Sequence, residues 1–180
     1  MSATDAAARI ADRFEEAAIE YAIGGALALG VWGAPRNTID VDVTVFVDPA
    51  ELPTVVDALE RAGVLLPPDV TDQARRVGLV RGRLGRAPVD VFVATHPHQI
   101  AMRARRRKVL DPNGRERWFV SPEDLVVLKL FYGRPKDALD LERLAAVRDD
   151  LDFDYVTSWI TKMVPAGDRR LDLLAALRTR

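Results

Sequence analysis

The chain has 180 residues, 48% hydrophobic and 29% charged, and its 26 Lys and Arg against 27 Asp and Glu leave a formal net charge of −1. That length and apolar content suit one soluble domain, or a domain with a helical appendage, able to build a core unaided. The absence of cysteine excludes disulfides, thiolate zinc sites and cysteine nucleophiles.

The acidic N-terminal stretch lacks the apolar centre of a signal peptide, and no run approaches the ~18 apolar residues of a membrane span. A cytoplasmic protein with no membrane contact is expected. Basic residues crowd between Arg75 and Arg117, whereas residues 1–70 are acidic by comparison. This asymmetry fits either a positive face for a polyanion or solvated surface arginines without a partner.

Asp5 to Tyr21 carries apolar residues at helical spacing, with Thr4-Asp5 as the cap, and predicts an amphipathic helix. Gly24-Gly25 then opens a short, nearly uncharged helix that runs to about Trp32. Two glycines there let the backbone approach a ligand, and exposed helix N–H groups bind phosphate. Ile39 to Val47 is the first expected strand, with the valines on one face and Asp40, Asp42, Thr44 and Phe46 on the other. Asp40 and Asp42 would project together, and two like charges that close call for a cation. Mg²⁺ takes one or two carboxylates plus substrate phosphates.

A helix over Ala50 to Ala62 closes at Gly63, and Arg75 to Arg83 is expected to be a strand turning at Gly82–Gly85. Pro88 precedes a short buried strand holding one acid, Asp90. A lone carboxylate in an apolar strand is costly unless paired or metal-bound, so Asp90 becomes the third member of the acidic set. His96-Pro97-His98 reads as a turn rather than a metal pair, because no third nitrogen donor exists. Beyond basic Ile100–Leu110, the turn Asp111-Pro112-Asn113-Gly114 and the strand Arg115–Val120 suggest a basic hairpin.

Ser121-Pro122-Glu123-Asp124 is a strong helix start, with Lys129 amid apolar neighbours in the helix that follows. Gly133-Arg134-Pro135 breaks it, and Lys136–Val147 continues as a helix on which Asp137 and Asp140 share a face. Two more helices are expected over Phe153–Met163 and Arg169–Leu177. The mixture points to an α+β fold, a small mixed sheet flanked by helices with a helical C-terminal portion. The expected division is a core over residues 1–120 and a helical region over 121–180.

Gly-Gly, a short helix, D-x-D on a strand and a later strand with one acid resemble the nucleotidyltransferase superfamily, whose fold is shared with DNA polymerase β. The stretch Gly24–Val47 is similar to the Gly-Gly, Arg-x-Thr-x-Asp-x-Asp version found in abortive-infection-type nucleotidyltransferase toxins and their relatives. Ser121–Leu144 resembles that group's later motif, a lysine followed by Arg-x-Lys-Asp and a second Asp. The resemblance implies Mg²⁺, or Mn²⁺, held by Asp40, Asp42 and Asp90, and NTP phosphates cradled at Gly24 and Gly25. It implies nucleotide contacts from Arg36, Thr38, Arg134 and Lys136, and a catalytic lysine, Lys129, partnered by Asp140. The implied activity is NMP transfer to an acceptor hydroxyl. The acceptor would be RNA, a tRNA 3′ end, as in a toxin with an antitoxin partner; the alternatives are an aminoglycoside-like small molecule or a protein hydroxyl as acceptor, or a non-catalytic nucleotide- or RNA-binding module. Gly25 stands where many members have serine.

Overall fold

The computed structural model describes residues 1–111 and 114–179. The chain divides into two compact units, Met1–Leu27 with Asn37–Val120, and Ala28–Arg36 with Ser121–Arg180. Pro112 and Asn113 of the expected basic turn lie outside the described residues.

The first unit opens with α1 (Ala3–Glu16), capped by Ser2, whose side chain accepts from the Asp5 backbone N–H. Ile10 and Phe14 face the core. The helix does not continue to Tyr21, as periodicity suggested. Ala18 adopts a left-handed conformation (φ 55°), and the chain straightens into β1 (Tyr21–Ile23), buried along its whole length. Three residues are too few to show a period of two against the helical pattern before them.

The remaining strands are β2 (Val41–Val45), β3 (Leu79–Leu84), β4 (Ala87–Val93), β5 (Arg107–Leu110) and β6 (Glu116–Phe119). They form one sheet in the order β3-β4-β2-β1-β6-β5. β2 and β4 run parallel, as do β1 and β6, and the other neighbours are antiparallel. Val41, Val43 and Val45 of β2 and Val89, Val91 and Val93 of β4 are buried. Each such side chain contributes about 1.5–3 kcal/mol on leaving water. Pro88 is tolerated in a central strand because β2 pairs with β4 only from Val89 onward, so its missing N–H costs no ladder bond on that side.

Helices α2 (Gly25–Val31), α3 (Leu52–Arg61), α4 (Val70–Val77) and α5 (Pro97–Arg105) fall between the strands. Arg75 and Arg76 therefore belong to α4 and not to a strand; Gly78, at φ 67°, ends that helix before β3 begins. His96-Pro97-His98 is likewise no turn. His96 caps α5, with its Nδ1 accepting from the His98 N–H at 3.2 Å, and His98 is fully buried. The basic hairpin is present as β5 and β6, paired from Arg107↔Phe119 to Leu110↔Glu116.

The second unit holds α6 (Pro122–Tyr132), α7 (Pro135–Val147), α8 (Phe153–Met163) and α9 (Arg169–Arg178). Ser121 starts α6, its Oγ accepting from the Asp124 N–H at 3.1 Å and donating to Asp124 Oδ2 at 2.7 Å. Tyr155 of α8 donates to the other oxygen at 2.6 Å. α6 packs against α7, α8 and α9, and its Leu125, Val126, Val127 and Leu130 are buried on several sides. Gly133, at φ 58°, closes it. Among the described residues no helix is long and apolar enough to cross a membrane.

Candidate functional site

In the first unit, Asp42 of β2 and Asp90 of β4 are register partners on parallel strands, so their side chains leave the same face of the sheet. Arg81 of β3 is paired with Asp90 on the other side, and its Nε lies 3.4 Å from Asp90 Oδ1. Arg81, Asp90 and Asp42 thus form a row across three strands. Both members of the Arg81–Asp90 pair reach solvent, with side-chain exposures of 72% and 34%.

The glycine motif closes on the end of this row. The Gly24 N–H donates to the Asp42 carbonyl at 2.8 Å. Gly25, the first residue of α2, has φ +56°, and a Cβ there would sit 1.9 Å from Asp42 Oδ2. Glycine at 25 is therefore required twice, by backbone conformation and by the carboxylate that occupies the side-chain position. A serine at this position would meet the same obstacle in this structure.

Asp40 lies one residue outside β2, exposed, in a segment where Thr38 Oγ1 accepts from the Asp40 N–H at 3.1 Å. The strand is shorter than Ile39–Val47. Among the described residues no group of three or more His, Asp or Glu is assembled as a metal centre. What the structure brings together is the Asp42–Asp90 pair. Two hard carboxylate oxygen donors match the protein's share of a Mg²⁺ site, whose other ligands are phosphates and water.

The second unit gathers the other predicted residues into a buried ionic cluster. Lys129 Nζ of α6 lies 2.5 Å from Asp140 Oδ2 and 3.4 Å from Asp137 Oδ1, both on α7. Arg36 Nε donates to both Asp140 oxygens, at 2.9 and 3.1 Å. Arg134 grips Asp137 with its backbone N–H at 3.2 Å and its Nε at 2.7 Å. Lys129, Asp137 and Asp140 are all buried, whereas Lys136 is exposed. Burial opposes the charge on Asp137, but hydrogen bonds from Arg134 and the charges of Lys129 and Arg134 outweigh it and hold the carboxyl below its ordinary value.

Much of the basic stretch is committed to the fold. Arg117 is almost fully buried and pairs with Asp12 and Glu15 of α1; Arg115 also reaches Asp12, at 2.8 Å. Arg103 and Arg106 pair with Glu20. The Arg106 guanidinium lies 4.4 Å from the Trp118 ring centroid, so that ring face already carries a cation. The sequence did not single out Arg81 or the Arg36–Asp140 contact. The first depends on strand register, and the second on residues 104 positions apart.

The family described as "Nucleotidyltransferase of unknown function (DUF6036)" matches residues 4–171. Among curated proteins, none matches the chain in sequence. Of solved structures, the antibiotic-resistance factor ANT(2″)-Ia superposes with a TM-score of 0.59 at 13% identity, over 98% of this chain and 89% of its own. A nucleotidyltransferase-like protein from Paracoccidioides brasiliensis gives 0.59 at 18% identity, over 99% and 93%. The lincosamide antibiotic adenylyltransferase LnuA gives 0.52 at 14% identity, over 76% and 92%. At these identities the likeness is one of fold, while the family match spans nearly the whole chain; the protein belongs to this nucleotidyltransferase family and is an enzyme of that class.

Proposed function

We propose that the protein transfers an NMP group from an NTP to the hydroxyl of a small-molecule acceptor. The observation that carries the transfer is the Asp42–Asp90 pair, side by side in register with Gly25 closed against Asp42. Asp42 and Asp90 would hold the divalent cation, with Asp40 as the third carboxylate of the motif. A bound Mg²⁺ supplies charge neutralisation at the triphosphate and a more acidic acceptor hydroxyl. The acceptor oxygen bonds to the α-phosphorus, the bond from that phosphorus to the bridging oxygen breaks, and pyrophosphate leaves with the electron pair while the hydroxyl proton passes to solvent water.

A small acceptor is favoured because Arg103, Arg106, Arg115 and Arg117 are spent on acids of their own unit. The fold neighbours point the same way: one is described in complex with adenylyl-2″-tobramycin and another is a lincosamide adenylyltransferase. A tRNA 3′ end, with a toxin role and an antitoxin partner, is the second reading. Exposed Arg83, Arg86 and Arg107, which lie outside those ion pairs, favour it. Incubation with α-labelled NTPs, Mg²⁺ and either total RNA or a small-molecule extract separates the two. Label in the small-molecule fraction supports the proposal, and label in RNA alone overturns it.

A further inference from the structure

The second unit contains a cavity of about 380 Å³ whose wall includes Lys129, Arg134, Arg169 and Arg170, with Pro135 and Leu173 among its apolar lining. Among the described residues no acidic side chain lines it. The nearest carboxylates named above are already engaged: Asp137 by Lys129 and Arg134, and Asp140 by Lys129 and Arg36. Asp168 is held by Arg170, which also donates to the Phe131 carbonyl at 2.7 Å. Four cations therefore share three carboxylates, and a fifth, Arg169, makes no ion pair among the described residues. α7 and α9 both begin at the cavity, at Pro135 and Arg169, which adds the positive ends of two helix dipoles. A polycationic ligand would be repelled from such a space. A compact anion would restore the charge balance while its organic body rested on proline and leucine.

We propose that this cavity binds a phosphate-bearing ligand. The inference stands on the second unit alone and does not depend on the acidic pair of β2 and β4. Phosphate groups reach a nucleotidyltransferase from two sources, the donor nucleotide and a phosphorylated acceptor, and both share the chemistry the cavity recognises.

The test is calorimetric titration of the full chain with pyrophosphate in the presence of a chelator, so that no metal recruits the anion to the acidic pair. The wild type is expected to bind, and Asp42→Asn to bind equally. Arg169→Ala is expected to weaken binding about tenfold, the size of a lost charge-assisted contact, and Arg169→Lys to recover most of it. Arg169 is exposed at a helix start, so its removal leaves the fold intact, which circular dichroism checks. Raising salt should weaken the wild type more than the alanine variant. Displacement of pyrophosphate by metal-free ATP assigns the site to the donor; displacement by a hexose phosphate but not by ATP assigns it to the acceptor. No binding to the wild type, or equal binding to Arg169→Ala, overturns the proposal.

Discussion

Gly25→Ala is the substitution whose outcome follows most directly from geometry. Its Cβ would lie 1.9 Å from Oδ2, 2.7 Å from Cγ and 3.0 Å from Cβ of Asp42. The carboxylate must swing away by more than an ångström, at an overpacking cost of about 1–3 kcal/mol. The left-handed backbone adds about 1–2 kcal/mol for any residue with a Cβ. Urea unfolding, followed by tryptophan fluorescence, should thus show a loss of about 2–5 kcal/mol. Asp42→Ala deletes Oδ2 and Cγ, so in that background Gly25→Ala should cost little beyond the backbone penalty. The double-mutant cycle should return a coupling of about 1 kcal/mol or more. An equal cost in both backgrounds would show that Gly25 is needed for its backbone alone and that Asp42 does not occupy its side-chain space.

Other outcomes follow from the ionic groups. Asp42→Asn should abolish nucleotidyl transfer while shifting unfolding free energy by less than about 1 kcal/mol, since the side chain is only half-buried; retained turnover would remove Asp42 from the chemistry. Asp140→Asn leaves Lys129 and Arg36 facing a neutral amide and should cost about 3–5 kcal/mol in urea unfolding, as for one half of a buried pair; a loss under 1 kcal/mol would contradict the burial of the cluster. Asp137, whose folded pKa is depressed, contributes stability that is complete above its unfolded value near 3.9 and is lost as pH falls through the folded value. Unfolding free energy measured below about pH 4 should therefore decline less steeply in Asp137→Asn than in the wild type.

In the first unit the sequence disclosed chemistry better than boundaries. Asp90 was identifiable because a single acid in the run Val89–Val93 must find a partner, and the structure supplies two neighbours, Asp42 and Arg81. That Arg81 is the one forming an ion pair was hidden, since it depends on Gly82 meeting Val89 in the β3–β4 register. β1 was lost for a different reason: a left-handed alanine, not a glycine or proline, ends the helix before it. The partners of the arginines between 103 and 117 were hidden because composition counts charges without saying what each one pairs with. Asp12, Glu15 and Glu20, which neutralise four of those arginines, come from the opposite end of the unit's sequence.

The second unit shows how periodicity discriminates where motif spacing does not. By spacing alone, Asp140 reads as readily as a surface acid paired with Arg134 or Lys136 as it does as a functional group. Yet Asp137, Asp140, Leu141 and Leu144 occupy positions i, i+3, i+4 and i+7 of one helical face, and the two leucines are buried. Carboxylates on the leucine face of α7 must leave water with it, and each then needs a cation of its own. Lys129, inside the apolar α6, is caught by the same constraint from the other side. Two acids and one lysine leave one negative charge unmatched, so an arginine had to come from elsewhere in the unit. Arg134 and Arg36 both answer, one at the start of α7 and one after α2. The lysine and second aspartate of the later motif, together with the arginine of the earlier one, therefore have a structural reason to occur together: both cations pair with the buried Asp140 carboxylate. That reason holds whatever either motif contributes to the nucleotide, and it is why replacing any one of them should be read first in unfolding experiments and only then in turnover.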